Sequence, residues 1–403
     1  MIAWIHGGGY TNGAASMPLY DGARLAHRGV IVVTLAYRLG ALGFLAHPEL
    51  TKESAHHSSG NYGLMDQIAA LEWIQRNIAV FGGDPQRVTI AGQSSGAMAV
   101  SALLVSPRAN GLFQRAIGQS GGIFEPLQLA PGYLLANAER DGVEFATTLN
   151  VQSLEALRKL PAEALLGGGA DALAHPVIEP YVLPMSPYQA YVLGRQYDVP
   201  LLLGSNTEEA RSLVDVSAVK ALGFDADIAQ HFGALPTQLL AAYPHHTDDE
   251  ARQARLGLER DLRFGWDMWA WARLHAAAGN SSVFYYAFQQ RPPFPANSVY
   301  AGWGASHFSE LWYMFDHLDQ TSWHWSAADR KLANDMSRYW TNFAKSGNPN
   351  GKGLENWPAF SAGAQDVLYL DNPIRVGDVY SLDRLKIFDA VYANIRGSPF
   401  LAR

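Results

Sequence analysis

The 403-residue chain contains no cysteine. That excludes disulfides, thiolate metal centres and a cysteine nucleophile, and it leaves the compartment open because a thiol-free chain is indifferent to redox poise. Charge is sparse as well: 17% of residues are charged, and 30 Lys and Arg against 37 Asp and Glu give a net charge of −7. No basic run offers a phosphate-binding face, so nucleic acid is not an expected partner. No stretch of roughly 18 apolar residues is present to span a bilayer, and the first residues lack the charged-then-apolar layout of a signal peptide. The chain therefore reads as soluble, either cytoplasmic or exported in a bacterium. It opens inside a strand-like run, which is compatible with a lost native N-terminus. Internal repeats and low-complexity tracts are missing too, and 48% hydrophobic residues suffice for a large core.

What is present alternates. Met1–Ile5, Val30–Ala36, Arg87–Ala91 and Arg115–Gln119 are strand-like runs. Leu64, Ile68, Leu71, Ile74 and Ile78 carry a helical period between the second and third of them. Strands separated by helices argue for an α/β fold with a mostly parallel sheet and right-handed crossovers. From 124 to 196 the signal weakens into Pro- and Gly-containing segments, read as an excursion over the site. Strands return at Val199–Gly204, Val283–Phe288 and Val367–Leu370, with helices over Asp249–Ala278 and Ala327–Ser346. No linker divides the chain, so residues 1–403 read as a single domain.

Two glycine-rich segments fall at the carboxyl ends of strands, where ligands bind in such sheets. Gly92-Gln93-Ser94-Ser95-Gly96 separates a strand from a helix-compatible stretch, and a G-x-S-x-G in that setting is a nucleophile elbow presenting Ser94 Oγ. His6-Gly7-Gly8-Gly9 follows the first strand and has the form of an oxyanion loop. A phosphate cradle is the competing reading of those glycines, but Tyr10-Thr11-Asn12 follows in place of Lys-Ser/Thr. A serine hydroxyl needs a base within hydrogen-bond reach and an acid to orient that base. In this fold class the chain order is serine, acid, histidine. Glu208 and Glu209 follow the strand ending at Gly204, and His307 closes the glycine-bearing loop Gly302–His307.

With these motifs in place the chain resembles the type-B carboxylesterase and cholinesterase-like family of α/β-hydrolases, from residue 1 to about 396. The resemblance is carried by Trp4–Gly9, Tyr37–Gly40 with Gly43 and Phe44, Gly60–Gln67, Phe81–Pro85, Gly92–Gly96, Gln119–Gly121, His307 with Glu310, and Tyr339–Asn350 with Trp357 and Pro358. It implies an α/β-hydrolase fold with helices on both faces of the sheet, a gorge-flanking helical region near 210–278, and a serine esterase acting on small carboxylic esters without cofactor or metal. Carried over by position, Ser94 is the nucleophile, His307 the base and Glu209 the acid, with Glu208 or a nearby aspartate as the competing choice. The backbone N–H groups of Gly8, Gly9 and Ser95 become the oxyanion donors. Scaffolds of this family also serve as non-catalytic interaction modules, which is the alternative function together with an inactive truncated fragment.

The chain departs from the pattern in three places. Gln93 stands where the family has glutamate, Ala210 where its acid turn has glycine, and early antiparallel strands that would precede Met1 are not present. The last departure leads to two expectations: an uncovered Val30–Ala36 edge open to self-association, and a Trp4 more exposed than in a longer relative. Other conspicuous residues receive structural readings. His6 stiffens its loop; Trp266, Trp269 and Arg273 share a helical face and read as core before acyl pocket; the pairs His56-His57 and His245-His246 lack ligand spacing for a metal.

Overall fold

Aliphatic and β-branched runs bounded by glycine and proline build the strands of this protein, whose computed structural model describes residues 1–398 apart from Gly168 and Ala234. Contacts group the chain into two units, Met1–Pro200 and the residues from Leu201 onward.

The first unit holds four parallel strands in the order β2-β1-β3-β4. They are β1 (Ile2–Ile5), β2 (Val32–Leu35), β3 (Thr89–Gln93) and β4 (Arg115–Gln119). Helix α1 (Tyr62–Asn77) buries Leu64, Ile68, Leu71 and Ile74, the face given by their spacing. Ile78 instead opens a 3₁₀ turn that ends at Gly82 with φ 79°. Register places Ile5 opposite Gly92 and Gln93 opposite Gln119, so the segments that follow β1, β3 and β4 leave the sheet at the same end. Helix α2 (Ser95–Leu103) starts directly after Ser94. The excursion beyond Phe124 is more regular than its sequence suggests. It contains α3 (Leu135–Thr148) and short helices at Leu154–Lys159 and Pro187–Val192. Small residues at the buried positions of α3, Ala138, Gly142 and Ala146, hide its periodicity. Buried Asn61 anchors the later part of this segment, bonding Val177 O at 2.6 Å and Glu179 Oε1 at 2.8 Å.

Strand β2 has β1 on one side and no strand on the other among the described residues, and Val32, Val33 and Thr34 are half-buried. The expectation for Trp4 fails. Its side chain is fully buried because β1 lies between β2 and β3, and it packs on Tyr20 with ring centroids 5.6 Å apart.

In the second unit β5 (Leu201–Asn206), β6 (Val283–Phe288) and β7 (Val367–Leu370) run parallel, and β8 (Arg375–Gly377) adds antiparallel to β7. The stretch 249–278, expected to be helical, holds two helices. A capping box of Thr247 and Glu250 starts α4 (Asp248–Arg260), a π turn spans Asp261–Gly265, and α5 (Trp266–Ala278) follows. The turn has a cause: buried Asp261 receives Arg260 Nε and Tyr243 Oη, each at 2.7 Å, and a Cβ on Gly265 would stand 2.9 Å from Asp261 Oδ1. Helix α6 (Ala327–Ser346) has its expected bounds, set by a Ser326–Asp329 capping box and by Gly347 at φ 81°. Helix α7 (Leu382–Arg396) was not read from sequence; it buries Leu385, Phe388, Val391 and Tyr392.

Candidate active site

In the first unit the chain must turn from β3 into α2 within a single residue. Ser94 adopts φ 58° and ψ −129°, a region that side chains other than glycine rarely occupy. The flanking glycines are required by contact. A Cβ on Gly92 would lie 2.4 Å from Gly96 C, and one on Gly96 would lie 2.1 Å from Ile5 O. The strained residue is fastened on both sides: its N–H donates to Gln119 O at 2.8 Å, and its carbonyl accepts from Ala97 N at 2.8 Å and Met98 N at 3.0 Å. Ser95 is the first residue of α2, where an amide has no intrahelical acceptor and the helix dipole is positive.

The loop after β1 lies against this elbow. A Cβ on Gly7 would sit 2.9 Å from Ser94 Cβ, so only glycine fits there. Gly8 and Gly9 take φ of 113° and 61°. The Gly8 carbonyl is occupied by Thr11 N at 3.0 Å and Asn12 N at 3.1 Å, and Tyr10 N donates to Ser95 Oγ at 3.2 Å. His6 is buried, its Nδ1 2.8 Å from Gly7 O and its ring stacked on Tyr37 at 4.5 Å, while Tyr37 Oη donates to His6 O at 2.7 Å. Burial pulls the His6 pKa below its ordinary value, in keeping with a neutral ring that stiffens the loop.

In the second unit the structure separates the adjacent glutamates. Glu209 is fully buried and its Oε2 lies 2.7 Å from His307 Nδ1. Its Oε1 accepts Asn206 N at 2.7 Å, and its carbonyl accepts His307 N at 3.2 Å. With a carboxylate at Nδ1, the neutral imidazole carries its proton there and leaves Nε2 as acceptor. Phe264 covers one face of the imidazole, its ring stacked at 4.6 Å and 22°. Glu208 turns to Arg211 Nε at 2.8 Å, Arg291 Nε at 2.8 Å and Ala305 N at 3.0 Å. Burial pushes its pKa up, but the Arg291 bond, the Ala305 amide and the two guanidinium charges outweigh that and hold it low. Ala210 enters a 3₁₀ turn over Glu209–Ser212 that makes no demand for glycine.

Sequence reasoning gave Glu310 no role. It is buried beside this pair, with Asn206 Nδ2 2.7 Å from its Oε2, and burial followed by the Glu209 charge pushes its pKa up to about 7. Its place three residues after His307, within the motif that carries the family resemblance, was the available signal. Trp266, Trp269 and Arg273 are anchoring groups: Asp389 on α7 accepts Trp266 Nε1 and both Arg273 terminal nitrogens at 2.6–2.7 Å, and Arg273 lies over the Trp269 ring. His56 stacks on Tyr181, and His245 on Phe224.

A family model described as the carboxylesterase family matches residues 1–388. The chain is 34% identical to the fumonisin B1 esterase of Sphingopyxis macrogoltabida over 382 residues, covering 89% of this chain and 67% of that protein. It is equally similar, at 34%, to the para-nitrobenzyl esterase of Bacillus subtilis, covering 96% of this chain and 79% of the relative. The chain belongs to the carboxylesterase family. A solved PNB esterase structure superposes with a TM-score of 0.81 at 32% identity, over 96% of this chain and 80% of that one, which gives this carboxylesterase the α/β-hydrolase fold. It is accordingly a serine hydrolase of carboxylic esters. Among the described residues of this carboxylesterase no helix is long and apolar enough to cross a membrane.

Proposed function

We propose that Ser94 is the nucleophile, His307 its base and Glu209 the acid of this esterase. The observation that carries the reading is the strained Ser94 elbow with a glycine loop packed against it; the buried Glu209–His307 pair supports it from the second unit. Ser94 Oγ attacks the ester carbonyl carbon as its proton passes to His307 Nε2, and the negative oxygen is received by the amides of Gly8, Gly9 and Ser95. The imidazolium, stabilised by Glu209, then protonates the leaving alkoxide. Water, activated by the same imidazole, releases the carboxylic acid and restores the hydroxyl. A fluorophosphonate probe followed by peptide mapping tests the nucleophile. One adduct on Ser94 is expected, together with a turnover loss of several orders of magnitude in Ser94→Ala; labelling at another serine of the folded chain would sink the assignment.

Para-nitrobenzyl and fumonisin B1 esters, named for two relatives, are reasonable first substrates for this chain. The unbroken family match over 1–388 supports a single catalytic domain. For partners, the open side of β2 supports self-association by strand pairing.

A further inference from the structure

The first unit contains a groove that the reaction above does not use. It has a volume of about 540 Å³, within the roughly 300–1,000 Å³ of small-molecule sites, and neither the Ser94 elbow nor the His6–Gly9 loop lines it. Its walls are aliphatic. Leu42 and Leu45 come from the short helix Gly40–Phe44 and the residue after it, Leu50 from Pro48–Glu53, Leu154 and Leu157 from Leu154–Lys159, and Met65 from α1. Leu154 and Leu157 are buried, while Leu42 and Met65 keep 42% and 37% of their surface exposed. The tyrosine rings of the groove are already occupied: Tyr181 is stacked on His56 at 3.6 Å and lies under Arg108 at 4.8 Å, and Tyr62 lies under Arg38 at 5.5 Å. An alkyl chain therefore fits these walls better than an aryl ring does.

The rim carries charges that cancel. Arg38 holds Asp66 through Nε at 2.8 Å and Nη2 at 2.7 Å, and Arg158 holds Glu53 through Nη1 at 3.0 Å and Nη2 at 2.8 Å. Glu179 is buried and accepts Asn61 Nδ2 and the amides of Tyr181, Val182 and Leu183 at 2.7–3.2 Å. A carboxylate head would meet Glu53 and Asp66 along with the arginines, and an ammonium head would meet the arginines along with the carboxylates, so neither ion gains a net partner. Donors remain. Each guanidinium has five N–H groups, of which its carboxylate takes two. Ser54 Oγ accepts His56 N at 3.2 Å, which leaves its own O–H to donate. The head group that suits this rim is uncharged and accepts hydrogen bonds.

The groove is joined to the glycine loop by one short element. The helix Gly40–Phe44, which gives Leu42 to the groove, is also fastened to Tyr10: Gly40 N donates to Tyr10 O at 2.8 Å, and the Phe44 ring packs on the Tyr10 ring at 4.7 Å. Tyr10 follows Gly9, and its N–H donates to Ser95 Oγ at 3.2 Å. We infer that the groove is a second, non-catalytic site for an aliphatic chain bearing an uncharged carbonyl group, and that its occupant steadies the glycine loop through Gly40–Phe44 and Tyr10. Binding stands on the groove alone, whereas the effect on rate rests on the esterase reading above.

Isothermal titration calorimetry with 2-octanone, octanoate and octylammonium tests the binding, since the three share a chain length and differ in the charge of the head. 2-Octanone should bind with a Kd roughly tenfold or more below that of either ion. Leu42→Glu and Met65→Glu, at exposed positions on two walls, should each weaken it by about tenfold or more. A Kd unmoved by both substitutions would overturn the groove, and tighter binding of either ion would overturn the uncharged head. With p-nitrophenyl acetate as substrate, saturating 2-octanone should raise the wild-type kcat by about twofold or more and leave kcat of both variants unchanged. The ketone is neither hydrolysed nor an acyl acceptor, so a rise that persists in both variants would come from the catalytic site and overturn the effect of the groove. Binding without any rise would overturn the link through Tyr10. No binding of 2-octanone, with association in sedimentation velocity lost in Leu42→Glu, would make the groove a contact between copies of the chain instead. If wild type hydrolyses no ester, the esterase reading fails, and the titration still decides the groove.

Discussion

Neighbouring residues of the same type sit in different surroundings here, and the proposed roles follow from them. Glu209 has no exposed surface and meets His307, whereas Glu208 is held by two arginines. Glu209→Gln should lower turnover by about 10²–10⁴ with little change in KM, and Glu208→Gln should stay within about tenfold of wild type. Steady-state kinetics on both variants checks this, and the reverse ranking would move the acid to Glu208. Glu310 makes a pH prediction. Its folded pKa of about 7 lies above the ordinary 4.5, so between those values the folded chain binds the extra proton, and stability present below 4.5 is lost as pH rises through 7. Glu310→Gln has no proton to lose. Its stability relative to wild type should therefore improve from pH 4.5 to 8 by on the order of 3 kcal/mol; denaturation curves that run parallel for the two chains would contradict it. Ser94 and His307 were legible as candidates because motif and chain order point to them. The different partners of Glu208 and Glu209 were not, since two adjacent carboxylates look alike until Arg211, Arg291 and the His307 ring are placed around them.

Elements were read well where one strong period ran unbroken. Helix α6 and strands β4, β6 and β7 fall on their expected residues. Helix α3 escaped because three of its four buried residues, Ala138, Gly142 and Ala146, are small and only Phe145 is large, and β8 because three residues, two of them exposed, carry no alternation. The break between α4 and α5 escaped because periodicity does not report a π turn; the cause is the local side-chain demand of Asp261, bonded by Arg260 and Tyr243. The junction of α5 and α7 yields a stability prediction. Asp389 accepts three hydrogen bonds, from Trp266 and Arg273, so Asp389→Ala leaves a largely buried guanidinium and an indole N–H without it. A loss of roughly 2–4 kcal/mol is expected in urea denaturation. A midpoint unchanged from wild type would show that α7 is held by its apolar face alone.

For the whole molecule, the parallel architecture was legible from strands alternating with helices, but the fate of Trp4 was not. Its burial depends on β1 having neighbours on both sides, which is a fact of sheet order. The open side of β2 sets the last prediction: sedimentation velocity should show association that rises with concentration and is weakened by Val32→Lys, and a strictly monomeric wild type would refute it. The same sheet order has a consequence for synthesis. Ile2 pairs with Val32 but also with Thr89, and β1 cannot complete its second ladder until β3 has been made. At about 5–20 residues per second, roughly 90 residues take on the order of 5–20 s. Through that interval nascent β1, Ile2-Ala3-Trp4-Ile5, has an unsatisfied edge and an apolar surface. A nascent chain in that state is a substrate for holdase chaperones, and its yield on overexpression should depend on their supply and on the rate of translation through α1.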